Sequence, residues 1–268
     1  MPDRGEVEVD GLRIAYERAG EGPPLVLLHG YVGDGPGLWH RQLGELSDEF
    51  TVVAWDAPGA GRSSDPPESF RIGDYADSLA GFVEALGLER PHVAGLSFGG
   101  TLALELHRRH PEVARTLVLA SAYAGWAGSL PPHVTEQRLR QALELSELPA
   151  EGFVSALAPT MFSESAPPEL VDRFVASMLG FHPAGFRTLA RASAEADLRD
   201  ALPGIDVPTL LLYGDEDVRS PLDAAERIKA AIPNSRLVVI PGAGHLCNLE
   251  APERFNEEVR GFLRAAPR

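Results

Sequence analysis

Val93-Ala94-Gly95-Leu96-Ser97-Phe98-Gly99-Gly100 decides how this chain is read. An apolar run with strand character stops at a serine boxed by glycines, and a helical pattern starts at once and runs to about His110. The spacing Gly95-x-Ser97-x-Gly99 is that of a strained strand-to-helix turn, which lifts a serine hydroxyl clear of a sheet edge. Glycine suits positions 95 and 99 because the segments before and after such a serine pack too closely to admit a Cβ. The N-terminus of the helix that follows favours negative charge developing at Ser97. Ser97 is therefore a candidate nucleophile.

Working outward, residues 25–28, 51–55, 92–94, 116–119, 209–213 and 237–240 are continuous apolar runs, the pattern of strands buried on both faces. Helical spacing occupies 38–46, 72–86, 98–110, 222–231 and 252–264, so strand and helix alternate as in a parallel sheet. Residues 7–9 and 12–16 flank Asp10-Gly11 and predict a hairpin, an antiparallel start. The expected fold class is α/β, with about eight mostly parallel strands and helices on both faces. The alternation breaks once, after the sixth strand, where prolines interrupt helical spacing and no strong strand candidate appears. This predicts a core of residues 1–121 and 205–268 and a helical insertion over 122–204. The insertion has more large apolar side chains than a loop needs. Trp126, Phe153, Met161, Phe162 and Met178 are candidates to line a pocket, although most such residues glue helices together.

The length of 268 residues fits one large α/β domain or a domain with an insertion. A net charge of −15 argues against nucleic acid or an anionic membrane as partner, since both select clustered Lys and Arg. The charged start Met1-Pro2-Asp3-Arg4 and the lack of any long apolar run predict a cytoplasmic protein without a signal or membrane segment. The single cysteine, Cys247, excludes an internal disulfide and multi-cysteine metal sites, and reads as a small buried side chain rather than a nucleophile. His107 and His110 share a helix face, but without a third ligand they read as surface residues rather than a metal site. Gly59-Ala60-Gly61 starts like a dinucleotide loop and lacks the third glycine.

A serine hydroxyl needs a base, and the base needs an orienting carboxylate. His245 follows the last strand in a glycine-rich loop, and Asp215 and Asp217 follow the strand before it. The carboxyl ends of parallel strands share one edge, so these residues can meet Ser97 despite their separation in sequence. Spacing alone does not separate the two aspartates. Asp217 is preferred as the acid, with Asp215 shaping the turn. An oxyanion formed on attack needs backbone donors. The N–H of Phe98 and that of Tyr31, after His29-Gly30, are the expected pair, with His29 structural and Asp56 and Arg62 holding their own turn.

Taken together, His29-Gly30, the segment Asp56 to Ser63, Gly95 to Gly100, Pro208 to Asp217, and Gly244-His245 through Glu250 and Pro252 resemble the α/β-hydrolase fold family with a helical cap, over nearly the whole chain. The resemblance implies a triad of Ser97, Asp217 and His245 and no cofactor; the expected reaction is hydrolysis of an ester or lactone, and the apolar insertion suggests a small to medium hydrophobic substrate. Relatives that are haloalkane dehalogenases or epoxide hydrolases use aspartate at the elbow, and serine at 97 speaks against both. Carbon–carbon hydrolases of ring-fission products share the constellation, and slow-turnover receptors of the same fold keep it too. Those two are the alternatives to an esterase-like enzyme.

Overall fold

In the computed structural model, which describes residues 2–267, Asp10 and Gly11 both adopt positive φ, 51° and 78°. Their turn joins β1 (Asp3–Val9) to β2 (Leu12–Ala19) as an antiparallel pair. Two positive-φ residues match the right-handed twist of the flanking strands, which is why Asp-Gly is favoured there. The remaining strands are β3 (Pro24–Leu28), β4 (Thr51–Trp55), β5 (His92–Leu96), β6 (Thr116–Ala120), β7 (Thr209–Gly214) and β8 (Ser235–Ile240). The sheet runs β1-β2-β4-β3-β5-β6-β7-β8 and is parallel from β4 onward. Strands β4 to β7 are buried along their whole length, which explains their unbroken apolar runs, while β8 closes the edge half-exposed.

The connections are α1 (Gly35–Glu45) after β3, α2 (Ile72–Ala85) after β4 and α3 (Phe98–Arg109) after β5. Between β6 and β7 lie α4 (Trp126–Ser129), α5 (Pro132–Leu145), α6 (Ala150–Leu157), α7 (Pro168–Met178) and α8 (Pro183–Glu195). The chain ends with α9 (Leu222–Ala231), the short α10 (Cys247–Glu250) and α11 (Pro252–Ala265). Helices cover both faces of the sheet, α1 packing with α11 and α2 with α3.

Three details depart from the sequence reading. Helix α1 begins at Gly35 rather than Leu38, because Asp34 Oδ1 accepts the Gly37 N–H at 2.5 Å and Pro36 occupies the first turn. Several prolines read as breaks in the insertion are helix starts instead, since Pro132, Pro168 and Pro183 each open a helix. His107 is buried rather than on the surface, with Nε2 3.1 Å from Asp206 Oδ1.

The order of the strands positions the site. The order in which strands are added reverses at β3, which pairs in parallel with β4 on one side and β5 on the other, so the loops after β3 and β5 part across a crevice. Leu28 is in register with Gly95, which brings His29-Gly30-Tyr31 beside the turn at Ser97.

Buried polar contacts hold the last two helices to the core. Gln42 of α1 is fully buried, and its Nε2 donates to the Asn248 carbonyl at 3.0 Å and to Asn256 Oδ1 at 2.8 Å. Asn248 Nδ2 returns a bond to the Leu38 carbonyl at 2.8 Å. Gln42→Ala strands these acceptors and should destabilise the fold by about 1–3 kcal/mol. At roughly 2–4 °C per kcal/mol for a chain of this size, the fall in Tm is measurable by calorimetry.

Candidate active site

Ser97 sits between β5 and α3 with φ 55° and ψ −113°, a backbone conformation in which a non-glycine residue is strained. Its neighbours hold it there. The Ser97 N–H donates to the Ala120 carbonyl at 2.8 Å, and its own carbonyl accepts from Gly100 and Thr101 at 3.0 and 3.1 Å. A Cβ at Gly95 would run into the Gly99 carbonyl, and one at Gly99 into the carbonyl of Leu28. The two glycines therefore let β5, α3 and the end of β3 approach closely enough to force the turn.

His245 follows β8 and is 3% exposed. Its Nδ1 lies 2.9 Å from Asp217 Oδ2. With a carboxylate facing Nδ1, the proton of the neutral ring belongs there, and Nε2 is the free acceptor. Three contacts fix the loop that carries the ring. Gly244 N–H donates to Glu250 Oε1 at 2.9 Å, Leu246 N–H to the Met161 carbonyl at 3.1 Å, and Glu216 N–H to the Ala243 carbonyl at 3.0 Å.

Asp217 is buried after β7, and its Oδ1 accepts the N–H groups of Arg219 and Ser220, both at 2.8 Å. Burial pushes its pKa up, but the charge and hydrogen bond of His245 and the two amides outweigh it, and the carboxyl is held below the ordinary value. Asp215 is exposed and accepts the Gly242 N–H at 2.6 Å, bracing the turn after β8 without touching His245.

The N–H groups of Tyr31 and Phe98 have no acceptor among the described residues. His29 is buried and neutral, since burial lowers its pKa. It ties the Tyr31 loop down, with Nδ1 2.6 Å from the Gly30 carbonyl and Nε2 accepting the Ala57 N–H at 2.9 Å. Asp56 accepts from the N–H groups of Gly35 and Arg62 at 3.0 and 2.9 Å and holds its turn. Cys247 is fully buried with its thiol pushed up to about 12 by burial, so it stays protonated.

Ser97 and His245 line one narrow cavity together with Gly30, Tyr31, Val32, Leu38, Leu96, Met161, Phe174 and Leu246. The Ser97 and His245 side chains are not hydrogen-bonded to each other, the imidazole being bonded instead to Asp217. A second narrow cavity shares Tyr31 and Val32 with the first and reaches Phe153, Phe181 and Phe186.

Of the five pocket candidates, Met161 lines the cavity at Ser97 and Phe153 the adjoining one. Trp126 packs edge-on against Tyr31, and Phe162 against Phe174. Met178 is buried, and neither cavity counts it in its walls. Phe174, another of the large apolar side chains of the insertion, also lines the cavity at Ser97, whereas Leu246 escaped the sequence reading. So did Arg219, whose guanidinium donates to Tyr31 Oη and to Thr160 Oγ1, each at 2.8 Å. Among the described residues no group of three or more His, Cys, Asp or Glu is placed to hold a metal ion, and no helix is long and apolar enough to cross a membrane.

A family model described as the alpha/beta hydrolase fold matches residues 23–252, and the chain belongs to that family. A Caulobacter protein provisionally named carbamate hydrolase RutD is 31% identical over 265 residues, covering 95% of this chain and 96% of its own. The solved structure of a thermophilic esterase from Thermogutta terrifontis is 32% identical, with a TM-score of 0.89 over 98% of both chains. An enol-lactonase from Burkholderia xenovorans is 25% identical, with a TM-score of 0.89 over 97% of this chain and all of that one.

The lowered pKa of Asp217 has a consequence for stability. A carboxyl whose folded pKa lies below its unfolded value contributes stability above the unfolded pKa, and the contribution disappears as pH falls through the folded one. The difference in urea midpoint between the wild type and Asp217→Asn should therefore be largest near about pH 7 and shrink below about pH 4.

Proposed function

We propose that this α/β-hydrolase is a serine hydrolase that cleaves a carboxylic ester or lactone through an acyl-enzyme on Ser97. The observation that carries the reading is one cavity wall joining Ser97 to His245, a histidine whose other nitrogen is bound to the buried Asp217. In the reaction, His245 Nε2 takes the Ser97 hydroxyl proton as Oγ attacks the acyl carbon. Asp217 stabilises the imidazolium, and the N–H groups of Tyr31 and Phe98 receive the oxyanion. The imidazolium returns its proton to the departing alkoxide. Water, deprotonated by the same nitrogen, then releases the acid and frees Ser97.

Residues 122–204 act as the cap in this reading, supplying Met161 and Phe174 above the serine. Leu38, Leu96, Met161, Phe174 and Leu246 make the walls apolar. These side chains crowd closely around Ser97, which favours a short acyl or alcohol group there. The esterase and enol-lactonase likenesses agree with this chemistry.

Hydrolysis of p-nitrophenyl esters from acetate to decanoate tests the reading. We expect sustained turnover at ~1 to 1,000 per second with an optimum at the short end. Ser97→Ala should abolish it, and Asp217→Asn should lower kcat by about 10,000-fold. Asp215→Asn should stay near wild type. A single burst without turnover would favour a receptor, and loss of activity in Asp215→Asn but not Asp217→Asn would overturn the acid assignment.

A further inference from the structure

Arg219 lies two residues after Asp217, and each of its polar groups reaches a different part of the site. The backbone N–H donates to Asp217 Oδ1 at 2.8 Å. The carbonyl accepts from Tyr123 Oη and from Arg138 Nη2, the latter at 2.9 Å. Nη2 donates to Tyr31 Oη and Nη1 to Thr160 Oγ1, each at 2.8 Å, and the guanidinium carbon lies 5.7 Å from the centre of the Tyr31 ring. Thr160 in turn adjoins Met161, whose carbonyl holds the Leu246 N–H beside His245.

The other contacts of Tyr31 are apolar. Phe186 stacks on its ring at 5.4 Å between centroids and Trp126 meets it edge-on at 5.6 Å. Stacked rings leave sliding within the ring plane weakly opposed, whereas a charge-assisted bond at the hydroxyl fixes both the direction and the reach of the side chain. That side chain belongs to the residue whose N–H has no acceptor at the site, on the loop facing Ser97.

We propose that Arg219 is a positioning residue for the oxyanion hole, its guanidinium clamping Tyr31 through the hydroxyl and so setting where the Tyr31 N–H points. The clamp joins the acid loop to the oxyanion loop within one residue. Its two functions are separable by mutation, because the N–H that serves Asp217 survives any change of side chain other than proline. This inference rests on the serine-hydrolase reading above.

The test compares wild type, Arg219→Met, Arg219→Lys, Tyr31→Phe and the double variant Arg219→Met/Tyr31→Phe. A p-nitrophenyl phosphonate that esterifies Ser97 first counts competent sites, so rates are expressed per titrated site and a partly unfolded preparation does not mislead. Three quantities follow for each variant: kcat/KM on a short p-nitrophenyl ester, its pH profile, and the affinity of an alkylboronic acid, whose tetrahedral adduct on Ser97 places an oxygen where the oxyanion forms.

Arg219→Met should lower kcat/KM per site by ~10- to 100-fold, less than the ~100- to 1,000-fold of losing a donor outright. Boronate affinity should fall by the same factor, with the pH profile unmoved because Asp217 keeps its amide bonds. Tyr31→Phe should behave likewise, the double variant should be no worse than Arg219→Met, and Arg219→Lys should recover part of the loss. Full kcat/KM and boronate affinity per site in Arg219→Met would overturn the inference. So would multiplicative losses in the double variant, or a displaced pH profile, which would place the effect at His245 and Asp217. Failure of the wild type itself to react with phosphonate or ester would instead overturn the serine-hydrolase reading.

Discussion

A serine held at positive φ between a buried strand and a buried helix is the constraint on which the other features of the site depend. The conformation costs of order 1–3 kcal/mol, so it persists only where its surroundings leave no alternative. Here they consist of backbone packed on backbone. The carbonyl of Gly99 faces Gly95, and that of Leu28 faces Gly99, at distances that exclude any side chain. The same packing that strains Ser97 also draws the end of β3 against the start of α3. Ser97 and the loop after β3 are thereby fixed relative to each other by one contact rather than two.

Electrostatics completes the other side of the cavity. Asp217 is buried in surroundings that oppose its charge, yet two amides and His245 keep it ionised. A carboxylate so placed selects one tautomer of the imidazole and leaves the opposite nitrogen free to accept a proton. Asp215 has the same side chain two residues earlier, but it is exposed and spends its acceptor on the Gly242 amide. The difference between the two is one of direction. β7 ends at Gly214, where a Cβ would meet the Ala243 carbonyl, and the chain then turns so that 215 points to solvent and 217 inward.

Much of this was legible in the sequence because it rests on local signals. Each strand from 25 onward was marked by an apolar run, the hairpin by Asp-Gly, and the turn at Ser97 by its glycines. Ser97, Asp217 and His245 were expected at one edge from the rule that parallel strands end together, and they are found there. Where the reading failed, the cause was a contact between distant segments. His107 looked like a surface residue because nothing near it in sequence announces Asp206. Arg219 passed unnoticed because its acceptors, Tyr31 and Thr160, lie 188 and 59 residues away.

The pocket was the least legible part, for a related reason. Helical spacing shows that an aromatic residue in the insertion is buried, but not whether it faces another helix or the cavity. Phe162 and Phe174 make the point: they pack edge to face at 5.5 Å, yet Phe174 lines the cavity and Phe162 does not. Which of the two meets a ligand depends on the rotation of α7 relative to the loop before it. That rotation is in turn limited at the other end of the segment, where Ser163 is bound through its N–H and hydroxyl to Glu250 at 3.0 and 2.6 Å. Glu250 also holds Gly244 beside His245, so the wall above Ser97 and the loop that carries His245 are registered by one carboxylate. The cavity wall and the His245 loop are therefore mechanically joined at that carboxylate, although the residues concerned belong to different parts of the chain.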